Sequence, residues 1–480
     1  VIKKRAIPKI ATATAVDPAS LGQDAVANGR SSTEAAYREG REKSLRLWQR
    51  AREVFPNGVS GAAKLYAPYP VFIRSARGSH VLDVDGNDYV DLLMGAGPML
   101  LGHGHPAVAE AVRKQFELMT NPMLPTELSL RLAERIRGHM PYLERLRFVN
   151  TGSEATRSAV RVARAVTGRP LIAKCEGAFH GSDDILLVSG HTRAPSGSDD
   201  RRPHAIPDYS GLAPGIEKSV LVIPFNDPDA AVELISEHAD ELAAVIVEPV
   251  AFSSGGGVPA TKAFVSALRA VTSRHGILLI FDEVLCAYRM GLAGAPAYLD
   301  VAPDLAAIGK AIGGGMPLAA FGGRAELMEA ALGPDAGERE IFQSGTFTEN
   351  PLSVAAGMAV LDVLESEPVL QCADEAGRLL RAGLTAEFEA HGVKAAITGV
   401  ASILQVHIGA ARVENRRDVI RADVDATRAF LLGMVAGGVL WPPIHPAVTS
   451  GAHTSEDVER VIATARIVLR GETLALRGRR

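Results

Sequence analysis

Cysteine is scarce in this 480-residue chain: Cys175, Cys286 and Cys372 stand far apart, with no CxxC pair and no cluster of histidines beside them. That argues against a disulfide framework and against a zinc site, so no metal is expected and the three read as reduced thiols of a cytoplasmic protein. Basic charge is not in surplus either. Lys and Arg total 51 against 55 Asp and Glu, a net charge of −4, which speaks against a nucleic-acid partner. No apolar run approaches the roughly 18 residues that a membrane span needs. The opening VIKKRAIPKI is basic, but Pro8 and Lys9 interrupt any apolar stretch, so a secretory signal is not expected. Residues 1–30 read as a loose extension.

What is present is enough apolar sequence for a large core, and a length that predicts two to three domains. From Ser31 to about Phe55 one helix is predicted, ended by Pro56-Asn57-Gly58. Val71 to Leu93 holds short alternating runs, with Asp85-Gly86 as a hairpin signal. Beyond His103, short apolar runs alternate with amphipathic stretches. Strands are predicted at 146–150, 171–176, 220–225, 243–249, 276–283 and 318–323, and helices at 153–166 and 262–276. Runs that are apolar on both faces and alternate with helices imply a parallel sheet between helical layers. The expected organisation is an extension (1–30), an N-terminal segment of helix and short strands packing with the small domain (31–100), a large α/β domain (101–350) and a smaller α+β domain (351–480).

Open α/β sheets bind ligands at the carboxyl ends of their strands, so polar residues that end apolar runs are the candidates. Asn150-Thr151-Gly152-Ser153-Glu154 joins a strand to a helix. Gly152 permits close backbone approach, and the helix start favours an anion such as phosphate. The same residues also suit a plain N-cap. Asp282 ends GILLIFD, where a carboxylate after an apolar run needs a cation or donors, or simply caps a turn. Lys310 lies in PDLAAIGKAIGGGMP among apolar residues. Such burial lowers an amine's pKa and makes it nucleophilic, although an isolated lysine in such a setting commonly snorkels to the surface. The three together are the parts of a pyridoxal phosphate site: an anion anchor, an acid for a ring nitrogen and an amine for an aldehyde.

From about Phe55 to Ile467 the chain resembles the class III aminotransferases of pyridoxal-phosphate fold type I, nearest in texture to the glutamate-1-semialdehyde aminomutase branch. The resemblance rests on ordered motifs: VFPNGV, GPMLLGHGHPAV, NTGSEATRSAVRVAR, AFHG, VIVEPV, LLIFDEV, PDLAAIGKAIGGGMP, SGTFTENPLSVAAG and AHTSED. It implies a large domain with a mostly parallel sheet between helices plus a smaller α+β domain, and pyridoxal 5'-phosphate as cofactor. Lys310 resembles the Schiff-base lysine and Asp282 the pyridinium partner. Gly152 and Ser153 resemble the phosphate cradle, and Thr346 the phosphate ligand reaching over from a neighbouring subunit, which implies a homodimer. Phe179 and Val284 match the residues on the two ring faces, and Glu248 the acid near the cofactor's 3-oxygen. His180 reads as a structural hydrogen-bonder.

The departures fall on the substrate side. Where the aminomutase branch has a carboxylate-binding arginine after its VFPGGV-like stretch, this chain has Lys64, which lacks the bidentate fork. A pocket tryptophan is replaced by Ala96, and the acidic residue before AHT is replaced by a stretch containing His445. Lys64, Tyr288, Arg289 and His445 are the candidates for substrate contact. These changes point to an aminotransferase that moves an amino group from an amine or amino acid to a separate oxo acceptor through pyridoxamine phosphate. The alternative is an aminomutase-like isomerase. Residues 189–218, rich in Ser, Pro, Gly, Asp and Arg, are expected to form a lid or a surface excursion.

Overall fold

The computed structural model describes residues 27–191 and 194–471. Most of the expected loose extension, residues 1–26, lies outside them. Helix α1 (Ala27–Arg38) is followed by α2 (Glu42–Ala51), and then by the strands β1 (Ile73–Arg77), β2 (His80–Asp83) and β3 (Asp88–Asp91). The single helix expected over 31–55 is therefore two. Gly40 adopts φ +73 between them, a left-handed turn that glycine takes without cost. The turn sends Arg41 inward, where its guanidinium is buried and donates to Tyr89 Oη, Tyr37 O and Val435 O. The hairpin signal at Asp85-Gly86 does join β2 to β3 as an antiparallel pair.

The central body comprises α3 (Pro106–Leu118), α4 (Glu127–His139), β4 (Arg145–Val149), α5 (Gly152–Thr167), β5 (Leu171–Cys175), β6 (Val220–Ile223), α6 (Pro228–Glu237), β7 (Leu242–Val247), the small hairpin β8 (Val250–Ala251) and β9 (Val258–Pro259), α7 (Lys262–His275), β10 (Leu278–Glu283), α8 (Ala295–Leu299), β11 (Leu305–Ile308), β12 (Ala319–Gly323) and α9 (Ala325–Leu332). Its seven-stranded sheet has the order β4-β12-β11-β10-β7-β5-β6. β12 pairs antiparallel with both β11 and β4, while the pairs from β11 through β6 are parallel. Every residue of β5, β7 and β10 is buried, as a sheet covered on both faces requires. β11 is a strand that the sequence pattern does not predict. Its four residues, LAAI, are too short and too small in side chain to stand out beside the glycine-rich segment that follows.

The remaining chain forms α10 (Pro351–Ser366), α11 (Val369–Ala390), β13 (Ala395–Thr398), β14 (Ile403–Ile408), α12 (Arg416–Arg421), α13 (Val424–Ala436), β15 (Val439–Leu440), β16 (Ala447–Val448) and α14 (Ser455–Leu469). α10 packs on α3, α4 and the turn that begins at Lys310. β15 adds in parallel to β3, and α1 packs on α13, so the first and last parts of the described chain share one layer. No helix among the described residues is long and apolar enough to cross a membrane.

Candidate active site

Five strand ends converge on one cavity of about 430 Å³. β4 delivers Asn150 to Ser153, β5 leads to Phe179 and His180, β7 to Glu248, β10 to Asp282 and Val284, and β11 to Lys310, all of which line it. Register brings the two acids together: Phe281 pairs with Val247, so Asp282 and Glu248 follow on neighbouring strands. α5 opens at the cavity wall with a capping box, in which Thr151 Oγ1 accepts from the Glu154 amide and Glu154 Oε2 accepts from the amides of Asn150 and Thr151. Gly152 and Ser153 thus stand at the positive end of a 16-residue helix. A Cβ on Gly152 would lie 2.6 Å from Val284 Cγ1, so only glycine admits Val284 at this wall. On the other side Gly181, at φ +94, comes so close to Ser153 that a side chain there would overlap its hydroxyl.

The charged groups hold one another. Asp282 Oδ2 accepts from His180 Nδ1 at 2.8 Å and Oδ1 from the Val284 amide at 3.1 Å. The His180 backbone carbonyl accepts from Thr156 Oγ1 at 2.7 Å, and its ring Nε2 is buried with no hydrogen-bond partner among the described residues. Glu248 accepts from the amide of Phe179 at 2.9 Å. Burial, reinforced by the charge of Asp282, pushes the Glu248 carboxyl up to about 8, so it holds a proton at neutral pH. Burial lowers the proton affinity of Lys310, against the opposing pull of the Asp282 carboxylate. Lys310 also takes φ +47, a left-handed conformation uncommon for a side-chain-bearing residue. Its Nζ lies 5.5 Å from the centre of the Phe252 ring.

The cavity gathers Gly152, Ser153, Phe179, Glu248, Asp282, Val284, Lys310 and His445. The other candidates read from the sequence fall elsewhere. Tyr288 and Arg289, expected at the substrate, are fully buried outside the lining. The guanidinium of Arg289 is committed to Gly97 O, Ser402 Oγ and Thr449 O. Tyr288 Oη has no hydrogen-bond partner among the described residues, and its ring meets His139 edge-on at 5.9 Å. Lys64 is exposed in a short turn, its Nζ 3.0 Å from Ser60 Oγ. Thr346 is exposed outside the lining, in a loop tied back by Asn121 Nδ2 donating to its carbonyl.

Sequence reasoning missed Phe252, which meets the His445 ring at 4.5 Å and helps line the cavity. Its only signal was position, four residues beyond Glu248 and just before a glycine run. Among the described residues 189–191 and 194–218 the segment expected as a lid is folded back. Ser189 bonds to Ile206, Asp208 accepts from the amides of Gly190 and His191, and Ser196 donates to Glu176. This sets the His191 ring edge-on to Phe179 at 5.1 Å. No group of three or more potential metal ligands occurs among the described residues.

The model of the family "Aminotransferase class-III" matches residues 62–450. Glutamate-1-semialdehyde 2,1-aminomutase of Methanocella arvoryzae is 38% identical over 429 residues, covering 88% of this chain and 98% of that one. The enzyme of the same name from Methanopyrus kandleri is 40% identical over 428 residues, 88% of this chain and 96% of its own. Among solved structures, an omega-transaminase from Sphaerobacter thermophilus superposes with a TM-score of 0.84 at 34% identity, covering 91% of this chain and 99% of that one. A glutamate-1-semialdehyde aminomutase from Pseudomonas aeruginosa gives 0.83 at 27% identity, over 93% and 98%.

Proposed function

The chain belongs to the class-III aminotransferase family, whose cofactor is pyridoxal 5'-phosphate, and from that premise we propose that it moves an amino group between carbon atoms with Lys310 carrying the proton. The residues present fit the cofactor: a glycine-lined helix start suits its phosphate, and Asp282, fixed by His180, suits its ring nitrogen. When bound, the cofactor supplies an aldehyde that captures amines and a ring that takes up the electron pair of a broken C–H bond. Asp282 would hold the ring nitrogen protonated. Phe179 and Val284 would confine the two ring faces. Glu248, neutral at pH 7, would donate a hydrogen bond. Lys310 Nζ would carry the proton between the amine-bearing substrate carbon and the cofactor.

The observation that carries this reading is the placement of Lys310, Asp282 and Glu248 at adjoining strand ends in one cavity. Borohydride trapping followed by peptide mass mapping should place the cofactor on Lys310. Lys310→Ala should lower amino transfer by at least about 10³-fold. Cofactor trapped on another lysine would end the assignment.

The fate of the amino group is the finer question. The curated relatives, matched over nearly their full length, support transfer within one molecule, as in a glutamate-1-semialdehyde 2,1-aminomutase, ahead of the two-substrate aminotransferase expected from the sequence. Transfer to a separate oxo acceptor is the second reading. It is supported by the exposed position of Lys64, by a cavity lined in this chain by no arginine among the described residues, and by the likeness to the omega-transaminase. Glutamate-1-semialdehyde supplied alone separates the two. Complete conversion to its isomer supports the aminomutase, whereas turnover that stops without an added oxo acid supports the transferase.

We further propose a homodimer. Phe342 and Phe347 are exposed in the Thr346 loop, and Met123 and Leu124 in the adjoining one. An apolar patch around a phosphate-ligand candidate that its own subunit leaves outside the cavity suits a second copy of the chain.

A further inference from the structure

Arg289 presents an anomaly. It is wholly buried, and each of its nearest partners is a neutral oxygen. Burial lowers its pKa to about 10, against the pull of the Asp374 carboxylate, which shares no direct hydrogen bond with it, and it is still charged at neutral pH. An arginine kept charged in the interior at that desolvation cost must hold something in place. Nε and Nη2 both donate to the Gly97 carbonyl, at 3.0 and 2.7 Å. Nη1 donates to Ser402 Oγ at 2.9 Å and to Thr449 O at 2.8 Å. Ser402 directly precedes β14 and Thr449 directly follows β16. One guanidinium therefore ties the segment that follows β10, the Gly97 turn and the C-terminal strands.

Gly97 is the other half of the device. It sits at φ +117, and a Cβ there would lie 2.7 Å from Leu285 Cδ1 and 3.2 Å from Lys310 Cδ. The backbone thus runs directly against the aliphatic stem of Lys310. We infer that Arg289 is a positioning residue for Lys310: it clamps the Gly97 backbone against the lysine stem and couples that contact to the C-terminal strands. The inference rests on Lys310 being the reacting amine.

The electrostatics act in the same sense. Burial first, and then the Arg289 charge, oppose the charged form of Lys310, while the Asp282 carboxylate favours it. His445, pushed down to about 3 by burial and by the lysine's own charge, contributes no cation at neutral pH. Arg289 is a fixed positive neighbour whose charge adds the smallest of these influences, on the side that keeps the amine free of its proton.

The test uses the full chain, prepared with and without cofactor. In the cofactor-free protein, the pH midpoint for reductive methylation of Lys310 is read by peptide mass. Arg289→Met removes the charge and the clamp: it should raise that midpoint and cut borohydride-trapped cofactor on Lys310 about tenfold. Arg289→Lys keeps the charge but loses the fork, and should leave the midpoint in place while kcat falls about tenfold at unchanged KM. Gly97→Ala should likewise keep the midpoint, and should reduce borohydride-trapped cofactor on Lys310 about tenfold. If Arg289→Met folds and leaves the midpoint unmoved, the inference is overturned. If that variant does not fold, wild-type kcat in Arg289→Lys together with wild-type trapping in Gly97→Ala overturns it. Trapping away from Lys310 in the wild type would instead sink the amino-transfer reading, and the methylation midpoints would still decide the role of Arg289.

Discussion

Asp282 and Glu283 are consecutive carboxylates at the end of one strand, and alternation across the sheet gives them opposite settings. Asp282 lines the cavity. Glu283 is fully buried outside the lining, where Tyr142 Oη donates to it at 2.5 Å and the Ala295 amide at 2.6 Å. Burial pushes the Glu283 carboxyl from 4.5 up to about 7. The folded chain therefore keeps a proton that the unfolded chain has released. The stability this contributes is fully present below about pH 4.5 and is lost as pH rises through about 7. Glu283→Gln does not titrate. Between pH 5 and 8 the wild type should lose on the order of 2 kcal/mol more stability than this variant, measured by denaturant unfolding at each pH. Equal pH dependence in the two proteins would remove Glu283 as the cause. Glu248 titrates in the same direction in both, so the comparison cancels its contribution.

At the scale of elements, the joint between β5, the 194–208 segment and α12 is an ion-pair network. Arg417 and Glu176 are each 4% exposed and meet at 2.7 Å. Arg417 also donates to Asp200 Oδ1 at 2.6 Å and to Ser196 O at 3.2 Å. Glu176 in turn accepts from the Ser196 amide. Three residues beyond Glu176 the chain reaches Phe179, so the network sets the approach of a cavity wall. Arg417→Met should destabilise the protein by about 3 kcal/mol, because it strands a buried carboxylate. Adding Glu176→Gln should recover most of that loss. Urea unfolding of the single and double variants measures the coupling, and additive losses would mean that the two residues act separately. The same network explains why a segment of lid-like composition is folded back. Its polar residues are spent on one another and on α12, which no local pattern reveals.

For the whole molecule, the exposed loops around Thr346 decide the prediction. Sedimentation of the wild type should give a dimer. Met123→Asp combined with Phe347→Asp places two charges in the apolar patch and should weaken association by at least about 100-fold, with activity falling in step with the dimer fraction. A protein that sediments as a monomer at full activity would refute both the interface and a shared role for Thr346.

Local chemistry, read from the sequence by itself, determined much of this molecule. The apolar runs at 171–176, 243–249 and 276–283 and the helices at 153–166 and 262–276 form because burial on both faces and a 3.6-residue period are local properties. The strand-end residues Gly152, Asp282 and Lys310 were legible for the same reason. Ordered motifs carried the family, since a glycine cradle, an acid and a lysine need only sequence order to be recognised. Tertiary structure alone decided the rest. It chose between cavity and core for His445, Tyr288 and Arg289, placing the first in the lining and burying the other two outside it. It broke the first helix at Gly40 because Arg41 had partners in β3 and in the last turn of α13. It placed Phe252 against His445, nearly two hundred residues away, because the β15–β16 connection returns to the carboxyl end of the sheet. Contacts between residues so distant in sequence arise only once the layers pack, and they set the substrate side of the cavity.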